Sequence, residues 1–177
     1  MTSEVEARSG WLSADQIRDA RAQLPILYVE ALPVRCDSVG SIVSVGLLLR
    51  AMPDGSISRS LVTGRVMYGE LVRDALLRHL EKDLGNMAMP QIPLSMTPVS
   101  VSEYFPNPEV SGLHDPRQHA VALSYIVPVS GDCAPSQASL DLAWLTPSEA
   151  SSPEMASEMT GGQHKVLLTL LASVGAL

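Results

Sequence analysis

The sequence predicts a single α+β domain in which a mixed β-sheet lies between helices, and three observations carry that reading. Apolar, β-branched runs of strand length recur at Ile26–Val34, Val43–Arg50 and His119–Val129. Between the second and third, the stretch from Gly69 to Leu84 places Leu71, Val72, Ala75, Leu76, Leu80 and Leu84 on one helical stripe. The chain has 177 residues, of which 46% are hydrophobic and 18% charged, enough for one domain with a substantial core.

Residues 1–12 are polar and read as an extended or disordered N-terminus, with the domain at 13–177. They contain no apolar core of the kind a signal peptide needs. Ser13 and Gln16 fit a capping box, so a helix should start there and stop at Pro25. Ile26–Val34 is the first strand. A turn with Asp37, Ser38 and Gly40 leads to Val43–Arg50, whose unbroken apolar run suggests burial on both faces. After the Pro53-Asp54-Gly55 turn, ISRSLVTG reads as one short strand.

Gly85 stands where a helix C-cap belongs. Pro90, Pro93 and Pro98 make residues 86–98 an extended loop, and the weak alternation of PVSVSEYF marks a strand. His119–Val129 is the strongest strand signal, and LDLAWL is the last. Thr146, Pro147 and Glu149 form a second capping box with proline at the first helical position. A final helix should bury Val166, Leu167, Leu170, Leu171 and Val174, for three or four helices in all.

A net charge of −7 repels a phosphate backbone, and no basic run offsets it, so nucleic-acid polymers and membrane surfaces are poor partners. No apolar stretch approaches the ~20 residues of a membrane span. Cys36 and Cys133 lack metal-ligand spacing and read as two reduced thiols of a cytoplasmic protein. P-loop, dinucleotide and nucleophile-elbow motifs are missing. With one Phe, two Trp and four Tyr, few rings are free to stack on a base. Tyr68 and Tyr104 are the candidates, and Trp144 reads as core.

The segment GRVMYGELVRDALLRHLEKDLG, Gly64 to Gly85, resembles the Nudix box, with Gly64, Glu70, Arg78, Leu80 and Gly85 in register. VSVGLLLR and ISRSLVTG before it, HDPRQHAVALSYIVPV after it and DLAWLTPSEA near the end are similar to the corresponding parts of Nudix proteins. The resemblance therefore spans residues 26 to about 174. It implies the Nudix fold, Mg²⁺ or Mn²⁺ as cofactor, a small-molecule nucleotide derivative of the ADP-ribose type as ligand, and a homodimer.

The departures from the box are as telling. Family carboxylates at three helix positions are here His79, Lys82 and Asp83. Those positions point into one cleft, because residues three and four apart share a helix face. Mg²⁺ is a hard cation that wants oxygen ligands, and imidazole and ammonium are poor substitutes. The metal candidates are thus Asp83, Glu70 and His79, with Lys82 able to pair with Asp83 or contact a phosphate itself.

Each candidate also has a plainer role. Glu70 suits a helix N-terminus through the dipole. Arg78 suits a structural bridge to Glu70 or a loop carbonyl. His114 and His119 suit a loop and a strand edge. By analogy with relatives that take a catalytic base from a loop outside the box, Glu103 and Glu109 join Glu70 as catalytic candidates. Arg50 and Arg65, on strands bordering the cleft, are expected to contact phosphate, and with Lys82 and the stacking candidates Tyr68 and Tyr104 they make up the substrate-binding set. Two functions follow: metal-dependent hydrolysis of a nucleoside diphosphate derivative, impaired by the rewritten box, or a module without chemistry that senses such a metabolite or serves as a structural dimer.

Overall fold

Ser13 caps the first helix as its spacing requires. Its hydroxyl accepts from the Gln16 N–H at 3.2 Å, and the Gln16 side chain accepts from the Ser13 N–H at 2.8 Å. The computed structural model describes residues 11–52, 54–135 and 139–177. Helix α1 spans Ala14–Gln23 and buries no residue. The expectation of an extended N-terminus concerns residues that, up to position 10, lie outside the described ones.

Strands β1 (Ile26–Cys36) and β2 (Ile42–Ala51) pair antiparallel near their connecting turn, through Val34↔Val45 and Cys36↔Ile42, and then diverge. The segment ISRSLVTG fills the gap as two strands instead of one. Strand β3 (Ile57–Ser60) pairs with β2, and β4 (Val62–Arg65) pairs with β1. The break falls at Leu61, whose side chain is fully buried and whose N–H leaves the ladder to donate to the Gln163 side chain at 3.3 Å. A buried N–H needs a partner, and Gln163 supplies it.

Helix α2 (Val72–Leu84) follows, ended by Gly85 at φ +89°. Leu71, expected on its apolar stripe, is the exposed N-cap residue. Then come β5 (Ser100–Tyr104), β6 (Ala120–Pro128) and β7 (Asp141–Leu145). Strand β1 is the axis of the sheet: it runs parallel to β6 over Ile26↔Ala120 to Val34↔Pro128, with β5 beyond β6. Strand β7 pairs with β2.

Three helices follow, α3 (Pro147–Ala150), α4 (Pro153–Glu158) and α5 (Gln163–Ser173), which makes five among the described residues where three or four were expected. Proline at the first turn starts α3 and α4, and Gly161 and Gly162, both at positive φ, separate α4 from α5. Val174, expected on the buried face, is an exposed cap residue.

Side chains alternate across the sheet, so β1 feeds two cores. On one face Leu32, Val34 and Leu47 pack with Leu167, Leu170 and Leu171 of α5. On the other, Val29, Ala31 and Leu48 pack with Leu76, Leu80 and Leu84 of α2. Trp144 joins the α2 side and is half-buried: its ring packs against Gly46, with the Arg35 guanidinium 4.7 Å from the ring centre. Among the described residues no helix is long and apolar enough to cross a membrane.

Candidate functional site

The Gly64-to-Gly85 segment folds as a strand end, a loop and a helix, and its polar side chains meet on the α2 face. Arg78 of α2 grips Glu70 in the preceding loop, Nε to Oε1 at 2.7 Å and Nη2 to Oε2 at 2.9 Å. The same Nη2 also donates to the Arg65 carbonyl at 3.0 Å, and the Met67 N–H donates to Glu70 at 2.9 Å. The structural bridge expected of Arg78 is thus present, to both the acid and the loop carbonyl. Hydrogen bonding from Arg78 holds the Glu70 carboxyl below the usual range.

His79 is buried, with Nε2 3.0 Å from the Arg65 carbonyl. A carbonyl only accepts, so Nε2 carries the proton. Burial pushes the imidazole pKa down, which keeps it neutral. The ring rests on Gly64, whose missing side chain is what makes room for it: a Cβ there would overlap the imidazole.

Asp83, 1% exposed, is paired with Arg50 of β2 through Nη2 and Oδ2. The pair is a one-point contact, since Asp83 Oδ1 and Arg50 Nε are buried without partners among the described residues. Lys82, the neighbouring cation, is exposed and forms no ion pair there. Arg50, and not Lys82, is the cation that meets Asp83.

The other candidates lie apart. Arg65 sits at the end of β4 with Nη2 3.3 Å from the Met67 sulfur, and Tyr68 is 85% exposed. Tyr104, expected as a stacking ring, faces the opposite core at 7% exposure and donates its hydroxyl to Glu30 at 2.6 Å, so it presents no open face to a base. Glu103 lies on the edge strand β5, separated from β2 by β1 and β6. Its carboxylate is 3.4 Å from His119, whose ring stacks on Phe105 at 4.3 Å. Glu109 is exposed in the following loop.

Glu30 was not singled out from the sequence. It is 1% exposed and accepts from Tyr104, Ser124 at 3.0 Å and Gln163 at 3.3 Å, while burial raises its pKa. A lone acid inside the apolar run ILYVEALPV was the available signal.

A family model described as a domain of unknown function, DUF4916, matches residues 7–176. The chain belongs to this family. A solved structure from Jonesia denitrificans, described as a possible asymmetric diadenosine tetraphosphate hydrolase, is 56% identical. It superposes with a TM-score of 0.85, covering 88% of this chain and 98% of that one. A Caenorhabditis elegans Ap4A hydrolase in a binary complex is 14% identical, with a TM-score of 0.61 over 86% of this chain and 99% of its own. A Nudix-family hydrolase from Clostridium perfringens is 14% identical at 0.58, over 84% and 95%. No curated protein sequence matches. This DUF4916 chain therefore has the Nudix fold that its box resembles.

The residues of this DUF4916 cleft do not fit the divalent ion that the Nudix resemblance implies. Mg²⁺ needs near-octahedral oxygen ligation with at least one or two free carboxylates. Here Glu70 is held at both oxygens by Arg78, Asp83 already has a guanidinium counter-ion, and His79 offers an imidazole nitrogen, a poor ligand for a hard cation. Among the described residues no group of three or more His, Cys, Asp or Glu is placed to hold a metal.

Proposed function

We propose that this protein binds a nucleoside diphosphate-linked metabolite of the ADP-ribose type in the α2 cleft, with metal-dependent pyrophosphate hydrolysis impaired. The observation that carries the reading is the engagement of both box acids, Asp83 by Arg50 and Glu70 by Arg78. Metal-assisted hydrolysis works by polarising phosphoryl oxygens and generating hydroxide from bound water, and both need an ion held by free carboxylates. The fold and the cleft's cations, Arg50 and Lys82, support retention of the ligand; the residue chemistry supports loss of the reaction.

A second reading is hydrolysis of a dinucleoside polyphosphate or ADP-ribose, and the description of the 56%-identical relative favours it. In that case Glu103, 3.4 Å from His119, is the nearest thing to a base outside the box. Calorimetric titration with ADP-ribose and with diadenosine tetraphosphate, followed by chromatography of the products in Mg²⁺ and in Mn²⁺, separates the two. Saturable binding with turnover far below the ~1–10³ s⁻¹ usual for enzymes is expected. Turnover within that range in either metal would replace the first reading by the second. A homodimer is also proposed, since α1 buries none of its residues and leaves Trp11 and Leu24 more than half exposed beside it.

A further inference from the structure

We infer that Arg50 is a built-in cation standing where the box would hold its ion, so that the cleft takes a diphosphate without divalent metal. The inference rests on the reading of the cleft as a diphosphate site, and it names the group that does the binding.

A carboxylate as buried as Asp83 requires a compensating cation. Other chains could recruit it from solution; this one supplies it covalently, from β2. Arg50 follows Leu48 by two positions, so its side chain leaves the sheet on the α2 side and reaches the last turn of that helix. A divalent ion approaching Asp83 would have to stand beside a guanidinium or displace it, and the other box acid, Glu70, is already held by Arg78. Like charges at such separations repel strongly when partly shielded from water.

A phosphate experiences the opposite field. The guanidinium carries five N–H donors in a planar fork that matches phosphate oxygens. Nη2 is committed to Asp83 and Nε is buried, which leaves Nη1 as the outer nitrogen without an acceptor among the described residues, while the side chain stays 21% exposed. Lys82, the next residue before Asp83, adds a second cation that is open to solvent. Asp83 then has a positioning role: it fixes the direction of the fork and leaves its outer donors free.

Two titrations test this. In the first, Mg²⁺ alone is titrated calorimetrically into wild type, K82E and R50Q/K82E. Only the double variant should bind saturably, at least about tenfold tighter than K82E, because the new acid cannot recruit metal while Arg50 remains. Magnesium binding by wild type, or equal binding by K82E and the double variant, overturns the inference. In the second, ADP-ribose is titrated in EDTA and in Mg²⁺. Wild type should bind equally in both, R50Q at least about tenfold more weakly, and R50K between them. A tenfold gain on adding Mg²⁺ to wild type, or unchanged binding by R50Q, overturns it. Should R50Q not fold, the wild-type and K82E arms still decide. Absence of ADP-ribose binding in both buffers defeats the ligand reading of the cleft, whereas the magnesium arm still decides whether Arg50 holds the ion's place.

Discussion

Arg78 and Glu70 stand eight residues apart and meet in a two-point grip that closes the loop before α2. Because the same guanidinium also holds the Arg65 carbonyl, one side chain ties β4, the loop and the helix together. Arg78→Ala should cost about 2–3 kcal/mol, the scale of hydrogen bonds to a charged group, and Arg78→Lys should recover only part, since an ammonium cannot reproduce the fork. Urea denaturation of the two variants checks both the size and the order.

Gly64 is required by its neighbour more than by its own backbone. Gly64→Ala pushes a methyl into the His79 ring. The imidazole must then leave the Arg65 carbonyl, and overpacking of this kind costs about 1–3 kcal/mol. The melting temperature should fall, and His79→Ala in the same chain should restore part of the loss by vacating the space. A melting temperature for Gly64→Ala equal to wild type would mean that the ring is not held there.

His79→Glu, which would bring the chain closer to the Nudix box, should destabilise it. A carboxylate in that place faces the Arg65 carbonyl acceptor to acceptor, in a buried position. His79→Gln keeps an N–H donor and should be milder. The pH dependence has a definite sign: the folded-state pKa is depressed by burial, so the unfolded chain binds the extra proton first. Stability is full above the ordinary histidine value near 6.5 and falls as the pH drops below it, a slope that His79→Gln should remove.

Glu30 should act in the opposite direction. Burial raises its pKa above the ordinary 4.5, so its contribution is best at low pH and is lost as the pH rises from 4.5 through the raised value. Thermal melts of Glu30→Gln against wild type should differ increasingly in favour of the variant over that interval, because the amide carries no charge to bury. A difference independent of pH would show that the three donors around Glu30 fully offset its burial.

The legible parts of this fold were those fixed locally. The Ser13 and Thr146 capping boxes, the β1 and β6 runs and the α2 stripe from Val72 onward all follow from short-range patterns and are present in the fold. The division of ISRSLVTG at Leu61 did not show, because the acceptor for its N–H comes from Gln163, 102 residues away. The break between α4 and α5 does not show in the apolar spacing, because it depends on glycine's freedom to take positive φ at 161 and 162. In the site, Arg78 and Glu70 were linked by box spacing, whereas the Arg50–Asp83 pair joins a strand to a helix 33 residues on. Tyr104 was read as a ligand-stacking ring because the parity that turns it toward Glu30 depends on pairing with β6.

That long-range pairing sets how the chain must reach its native state. Strand β1 finds its parallel neighbour 94 residues later, at Glu30↔Ser124, so the sheet's axis cannot be completed until nearly three-quarters of the polypeptide exists. Closing so long a loop has to precede the contacts that reward it, which makes for slow acquisition of structure. Until then β1, apolar on both sides, offers an open edge to any other strand in reach. For this chain the vulnerable interval is its own synthesis, when aggregation competes with the arrival of β6.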